Sequence, residues 1–290
     1  MIILLFILSQ DINFEDLCNK ATTSLVKFKV DKDSAFNKLI ELGKDSVYAD
    51  TTINFLVSKF DTKSALERHT LKDIFKKIGE STIRGIVEKI DYRGSDDEDR
   101  SLKQSLWVLG EIGGEKIVEP AARFINDEKW QIRSNAYTAL GKSKSQNALN
   151  SVLQGLNDPI PIVRKSAYFA LSQIASENEI SYLVQGLDDV FYGVRYAAVD
   201  GLVSVGEKAL DTLISMIGHS GLKDYGIFAV LLQFDIENDR MLKFVKHKEP
   251  SIRLLLYEGL DDKIILKMCL EFEGNSFLKN YLSKKLSGAR

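Results

Sequence analysis

A period of 31 residues runs through the middle of this 290-residue chain and constrains its fold more than any other feature. Asp127, Asp158 and Asp189 recur at that interval. So do Ile132, Val163 and Val194; Arg133, Arg164 and Arg195; Ala136, Ala167 and Ala198; and Leu140, Leu171 and Leu202. Upstream, Asp96, Leu109 and Gly110 stand 31 residues before Asp127, Leu140 and Gly141, and Leu71, Ile78 and Gly79 stand 31 before Leu102, Leu109 and Gly110. Self-similarity at a fixed period of this length is the mark of a repeat array.

Each unit has two halves of helical spacing. Ile132, Ala136, Ala139 and Leu140 fall at i, i+4, i+7 and i+8, one face of an α-helix. A short turn follows, as at Gly113-Gly114 or Gly206-Glu207. The second half repeats the spacing in Leu149, Val152, Leu153 and Leu156, in Ile180, Leu183, Val184 and Leu187, and in Leu210, Leu213, Ile214 and Ile217. Sustained two-residue alternation is missing, so no sheet is expected. A lone helix pair cannot cover its apolar faces, whereas stacked pairs bury one continuous core. The expected fold is therefore all-α, an α-α superhelix of stacked antiparallel helix pairs. One solenoid would cover 11–290. Its clearest repeats are 96–126, 127–157, 158–188 and 189–218, with degenerate units at 31–60, 63–92, 221–248 and 249–290. The final helices, ending in LSKKLSGAR, are expected to form a polar cap.

The stretch NDPIPIVRKSAYFAL at 157–171 carries the pattern D-P-x-x-x-V-R-x-x-A-x-x-A-L, which resembles the HEAT repeat in its short form, as in phycobiliprotein-lyase HEAT-like proteins. Asp158 sits before the helix, where a carboxylate can accept backbone N–H bonds at the positive helix end. Pro161 falls where its missing N–H costs least. The resemblance implies a structural ladder running from repeat to repeat through Asp127, Asp158, Asp189 and Arg133, Arg164, Arg195. At 249–253 the motif returns as E-P-S-I-R, but His247 occupies the aspartate position, so the ladder is expected to break there.

Chemistry is sparse. His69, His219 and His247 have no metal-ligand spacing, no His-Glu pair occurs, and Cys18 and Cys269 lie near opposite ends of the chain. A HEAT-type hydroxylase family holds iron with His-Glu pairs, which this chain lacks. AYTALGKS at 136–143 fails as a phosphate-binding loop because it lies within and at the end of a helix. Asp96, Asp97, Glu98 and Asp99 read as a solvated loop, and Lys243, Lys246, His247 and Lys248 as a wet helix face. No catalytic residue, metal or cofactor is expected. A net charge of -2 disfavours a dedicated nucleic-acid binder. Ile2 to Leu8 is apolar but far too short to span a bilayer. Met1 to Gln10 reads as a short signal segment, making the protein secreted or periplasmic, or as a frayed helix start in a cytoplasmic one.

What remains is surface. Positions two and six after the Ile/Val column lie opposite the buried stripe and carry Lys103 and Trp107, Lys165 and Phe169, and Tyr196. With the turn aromatics Trp130 and Tyr192 they are the candidate partner-binding residues, suited to a peptide or a protein helix. The alternative is that these rings pack against neighbouring repeats. The leading expectation is a non-catalytic scaffold that binds another protein through its curved face. A lyase-like accessory subunit for chromophore attachment and a HEAT-like nucleic-acid-binding protein are the alternatives.

Overall fold

A computed structural model describes residues 12–24, 29–218, 221–234 and 244–288. Met1 to Gln10, His219 and Lys243 lie outside the described residues. All regular structure among the described residues is helical. The chain divides into two compact units, Met1–Gly155 and Leu156–Arg290.

In the first unit the helices are α1 (Phe14–Ala21), α2 (Lys29–Lys44), α3 (Ala49–Ser58), α4 (Ala65–Ile78), α5 (Ile83–Val87), α6 (Arg100–Ile112), α7 (Val118–Ala122), α8 (Trp130–Ser143) and α9 (Leu149–Gln154). The longer helices α2, α4, α6 and α8 pack side by side in that order. The second unit holds α10 (Pro161–Ile174), α11 (Ile180–Gly186), α12 (Tyr192–Val205), α13 (Leu210–Ser215), α14 (Gly221–Leu231), α15 (Pro250–Gly259), α16 (Lys263–Phe272) and α17 (Ser276–Ser287). There α10, α12, α14 and α15 form the corresponding row. The fold is thus an all-α array of helix pairs, as the period requires.

The columns of the repeat are its core. Ile132, Val163, Val194, Ala136, Ala167, Ala198, Leu140, Leu171 and Leu202 are all 0% exposed. Alanine at the middle position lets neighbouring helices approach closely, which is what stacking needs. A further column joins two helices of one repeat. Tyr137 lies over Gly155, and 31 residues on Tyr168 lies over Gly186. In each case a Cβ on the glycine would come within 2.3 Å of the ring. Burial pushes the Tyr168 phenol up to about 12. Helix ends are set by backbone that favours glycine, at Gly113 (φ 72°) and Gly206 (φ 82°).

The link between each turn aspartate and the arginine six residues later is a pair of local hydrogen bonds. Asp127, Asp158 and Asp189 each accept the N–H two residues ahead, from Lys129, Ile160 and Phe191 at 2.8–2.9 Å. The arginine then reaches back out of its helix to the carbonyl of the same turn. Arg133 donates to Asp127 O, Arg164 to Asp158 O and Arg195 to Asp189 O. Arg68 does the same to Thr62 O, and Arg253 to His247 O. The arginine therefore closes the turn from which its own helix starts.

Within the second unit, Arg164 also grips the next turn. Its Nε and Nη2 donate to Asp189 at 2.7 and 2.9 Å. Burial would raise the Asp189 pKa, but the bonds from Arg164 and the Phe191 N–H outweigh it and hold the carboxyl below its ordinary range. Replacing Arg164 by alanine leaves Asp189 with that N–H alone and opens the 158–160 turn. We expect a loss of about 2–3 kcal/mol, read as a lowered urea midpoint with the far-UV helical spectrum retained.

At His247 the ladder does not break, contrary to expectation. The imidazole Nδ1 accepts the Glu249 N–H at 3.1 Å, taking the role of the aspartate carboxylate. Its Nε2 meets Asp224 at 2.8 Å, and Asp224 occupies the helix position where neighbouring repeats carry arginine. The rung persists with donor and acceptor exchanged. Asp224, wholly buried, also accepts the Gly218 N–H with both oxygens at 3.1 Å, where arginine would have donated to a carbonyl.

The C-terminal helices are less polar than expected. Ile264 is 72% exposed, Phe272 66% and Phe277 67%. α16, built on Ile265, Leu266 and Cys269 as its buried face, turns Ile264 and Phe272 outward, and α17, built on Leu278 and Leu282, turns out Phe277. No helix among the described residues is long and apolar enough to cross a membrane.

Candidate functional site: a cleft around Trp107

Helix α6 buries Leu102, Leu106 and Leu109, which places Trp107 off the apolar stripe and leaves it half-buried. The ring is supported from α4. His69 meets it edge-on with centroids 4.9 Å apart, and the Lys72 ammonium lies 5.0 Å from its centroid. One face of the indole is thus held by the neighbouring helix while the rest opens into a cleft of about 440 Å³. Arg68, Glu98, Arg100, Lys103, Gln104, Trp107 and Asn135 line it. Buried Gln104 ties α6 to α4 by donating its side-chain N–H to Arg68 O at 2.8 Å.

The charges around the cleft are unevenly paired. Arg100 pairs with Asp96, whose carboxyl that contact lowers from its usual value. Lys103 is only 3.8 Å from the exposed Glu98 carboxylate, a loose contact. Arg68 has its turn-closing bond to Thr62 O at 2.9 Å and no carboxylate partner among the described residues. The cause lies in the loop before α6. Asp96 accepts the Glu98 N–H as Asp127 accepts that of Lys129, but its carboxylate is taken by Arg100. Asp99 is taken by Arg93 and Lys129. Neither of these two carboxylates is left for Arg68.

The other candidate residues are placed as follows. Trp130 opens α8 and is 38% exposed. In the second unit, Lys165 is exposed and Phe169 half-buried on α10, while Tyr192 and Tyr196 stand one turn apart on α12, 71% and 66% exposed. Only Lys103 and Trp107 of the candidates lie in the cleft. Arg68, Arg100, Gln104 and Asn135, which the sequence does not mark, line it with Glu98, and His69 and Lys72 support the ring. The i−6 carbonyl bond that identifies Arg68 as a turn-closing arginine needs Thr62 in the aspartate position, which hides the motif. Among the described residues no group of histidine, cysteine and acidic side chains could hold a metal ion.

The repeat motif can now be set against known proteins. Residues 92–172 match the family model for HEAT repeats. The resemblance to HEAT repeats holds. That match takes in α6 to α10, including the Trp107 helix. Searched against curated proteins, the chain has no match. Among solved structures it is similar to the complex of CpcE and CpcF of phycocyanin lyase from Nostoc sp., at 13% identity over 82% of this chain and 94% of that one, with a TM-score of 0.45. It is similar to human deoxyhypusine hydroxylase in complex with glycerol, at 18% identity, 83% and 96% coverage and a TM-score of 0.38. A designed armadillo repeat protein in complex with a (KR)4 peptide is similar at 15% identity, 86% and 99% coverage and a TM-score of 0.37.

Proposed function

We propose that the protein is a non-catalytic scaffold and that it binds a protein partner on the α4–α6–α8 face, through the cleft around Trp107. The observation that carries this reading is the half-buried indole, held on one side by His69 and Lys72 and bordered by Arg68, which has no carboxylate partner among the described residues. A rigid aromatic in a partly dehydrated hollow, with cations at the rim, is the kind of anchor on which binding energy concentrates. Its volume falls within the range of ordinary ligand clefts. The stacked helices α4, α6 and α8 hold these side chains on regular secondary structure, so little ordering entropy remains to be lost on binding.

Partner capture from the native source, comparing wild type with Trp107→Ala, tests this. The indole lies off the apolar stripe of α6, so the variant should keep its helical spectrum and most of its stability. We expect it to lose about 2 kcal/mol of affinity, roughly thirtyfold in Kd, for the partner that wild type retains. Retention of the same partner at the same affinity by the folded variant would place the interface elsewhere.

A further inference from the structure

Resting on the reading of the Trp107 cleft as a protein-binding site, we infer that its ligand is an acidic segment of the partner, in which a carboxylate reaches Arg68 and an adjacent apolar side chain rests on the indole. Three observations point to that chemistry. Arg68, Arg100 and Lys103 all border the cleft, and Lys72 stands behind the ring, against Glu98 alone among acidic lining residues. Arg68 is a turn-closing arginine like Arg164 and Arg253, yet each of those spends its Nε and Nη2 on a carboxylate while Arg68 has none among the described residues. The fork that recognises Asp189 and Glu273 elsewhere in this chain is therefore open at Arg68. A planar guanidinium favours bidentate carboxylate pairing over any neutral group.

Glu98 supplies the third observation. It is an exposed loop carboxylate that already leans onto Lys103 at 3.8 Å, without closing to hydrogen-bond distance. The chain's own acid thus lies on the cationic rim that a partner's carboxylate would approach. It competes with an incoming carboxylate and does not support the site. Removing its charge should strengthen binding, an outcome that a structural role for Glu98 would reverse.

Selection of a random-peptide display library on the full chain tests the inference. Peptides retained by wild type but not by Trp107→Ala define the cleft-specific pool. That pool is expected to be enriched in Asp and Glu beside a large apolar residue. Binding of individual selected peptides is then followed by Trp107 fluorescence in a Trp130→Phe background, since these are the chain's two tryptophans. Arg68→Ala should weaken binding about tenfold, Glu98→Gln should tighten it about threefold, and added salt should weaken it. If Arg68→Ala unfolds, Lys103→Gln removes a cleft cation without touching a turn-closing bond and should weaken binding in the same direction. A cleft-specific pool without acidic bias, or one indifferent to these changes, sinks the acidic ligand and leaves the protein-binding reading standing. A single-stranded oligonucleotide that displaces the peptides and binds more tightly than they do replaces it with a nucleic-acid ligand. An empty cleft-specific pool removes both readings.

Discussion

Replacing Glu273 by alanine is expected to cost the second unit about 3–5 kcal/mol. The Glu273 side chain is wholly buried and holds four donors. Arg253 gives it two bonds at 2.8 Å, Tyr257 one from its hydroxyl at 2.7 Å, and the Asn275 N–H one at 2.7 Å. Truncation takes the acceptor from the Nε and Nη2 of Arg253, from the Tyr257 phenol and from the Asn275 N–H at the α15–α17 junction. Removing one partner of a buried pair is costly because the other charge stays buried. The expected readout is a large drop in the urea midpoint followed by far-UV circular dichroism. A change below 1 kcal/mol would mean that water replaces the carboxylate and the junction is open.

The same carboxyl gives a pH signature. Burial alone would raise its pKa, but Arg253, the Asn275 N–H and the Tyr257 hydroxyl outweigh it and hold the group at about 2. A carboxyl depressed in the folded state contributes stability that is present above its unfolded value, near 4.3, and lost as pH falls towards 2. Wild type should therefore lose stability between about pH 4.5 and pH 2. Glu273→Gln should be less stable at neutral pH and show a flatter profile across that window.

Glu273 also marks where the sequence stops being legible. The 31-residue period exposes Asp127, Asp158, Asp189 and their arginines because identical turns recur at identical spacing. Arg164 reaches a carboxylate 25 residues on. Arg253 reaches one only 20 residues on, because α15 ends at Gly259, sooner after its arginine than α10 ends after Arg164, and the turn carries glutamate in place of aspartate. At His247 the exchange of donor and acceptor with Asp224 keeps the hydrogen-bond geometry while erasing both motif letters. Periodicity detects residue identity, whereas the fold requires only a donor opposite an acceptor.

The cleft shows the same division. Helical geometry alone places Lys103 and Trp107 away from the buried stripe. It cannot say which neighbouring helix faces them, so His69 and Lys72, which fix the indole, stay hidden, as does the missing carboxylate at Arg68. Nor could exposure of single rings on α12 be turned into a site, since Tyr192 and Tyr196 carry no comparable set of partners around them. The apolar residues of α16 show the limit in reverse. A basic, polar last segment says little about the outward face of the helix before it.

Replacing Arg93 by methionine is expected to cost the first unit about 3 kcal/mol, although this arginine belongs to no repeat column. It lies in the irregular loop before α6 and bridges two carboxylates, Asp99 at 2.8 and 3.2 Å and Asp127 at 2.7 and 3.1 Å. Asp99 is buried in a left-handed conformation (φ 51°), which a non-glycine residue holds only when its surroundings fix it. Without the guanidinium, two largely buried carboxylates share only the Lys129 ammonium and backbone N–H groups. Their repulsion is then uncompensated. Hydrogen bonds from Arg93, then Lys129, hold the Asp99 carboxyl at about 2 against the opposing effect of burial. Its stabilising contribution is therefore present above about pH 4 and lost as pH falls towards 2. In Arg93→Met both carboxyls should titrate higher, so acid unfolding begins at higher pH than in wild type. Trp107 and Trp130 both lie in this unit, so tryptophan fluorescence reports the transition directly. Coincident wild-type and variant acid curves would show that Lys129 alone neutralises the pair and that the bridge is dispensable.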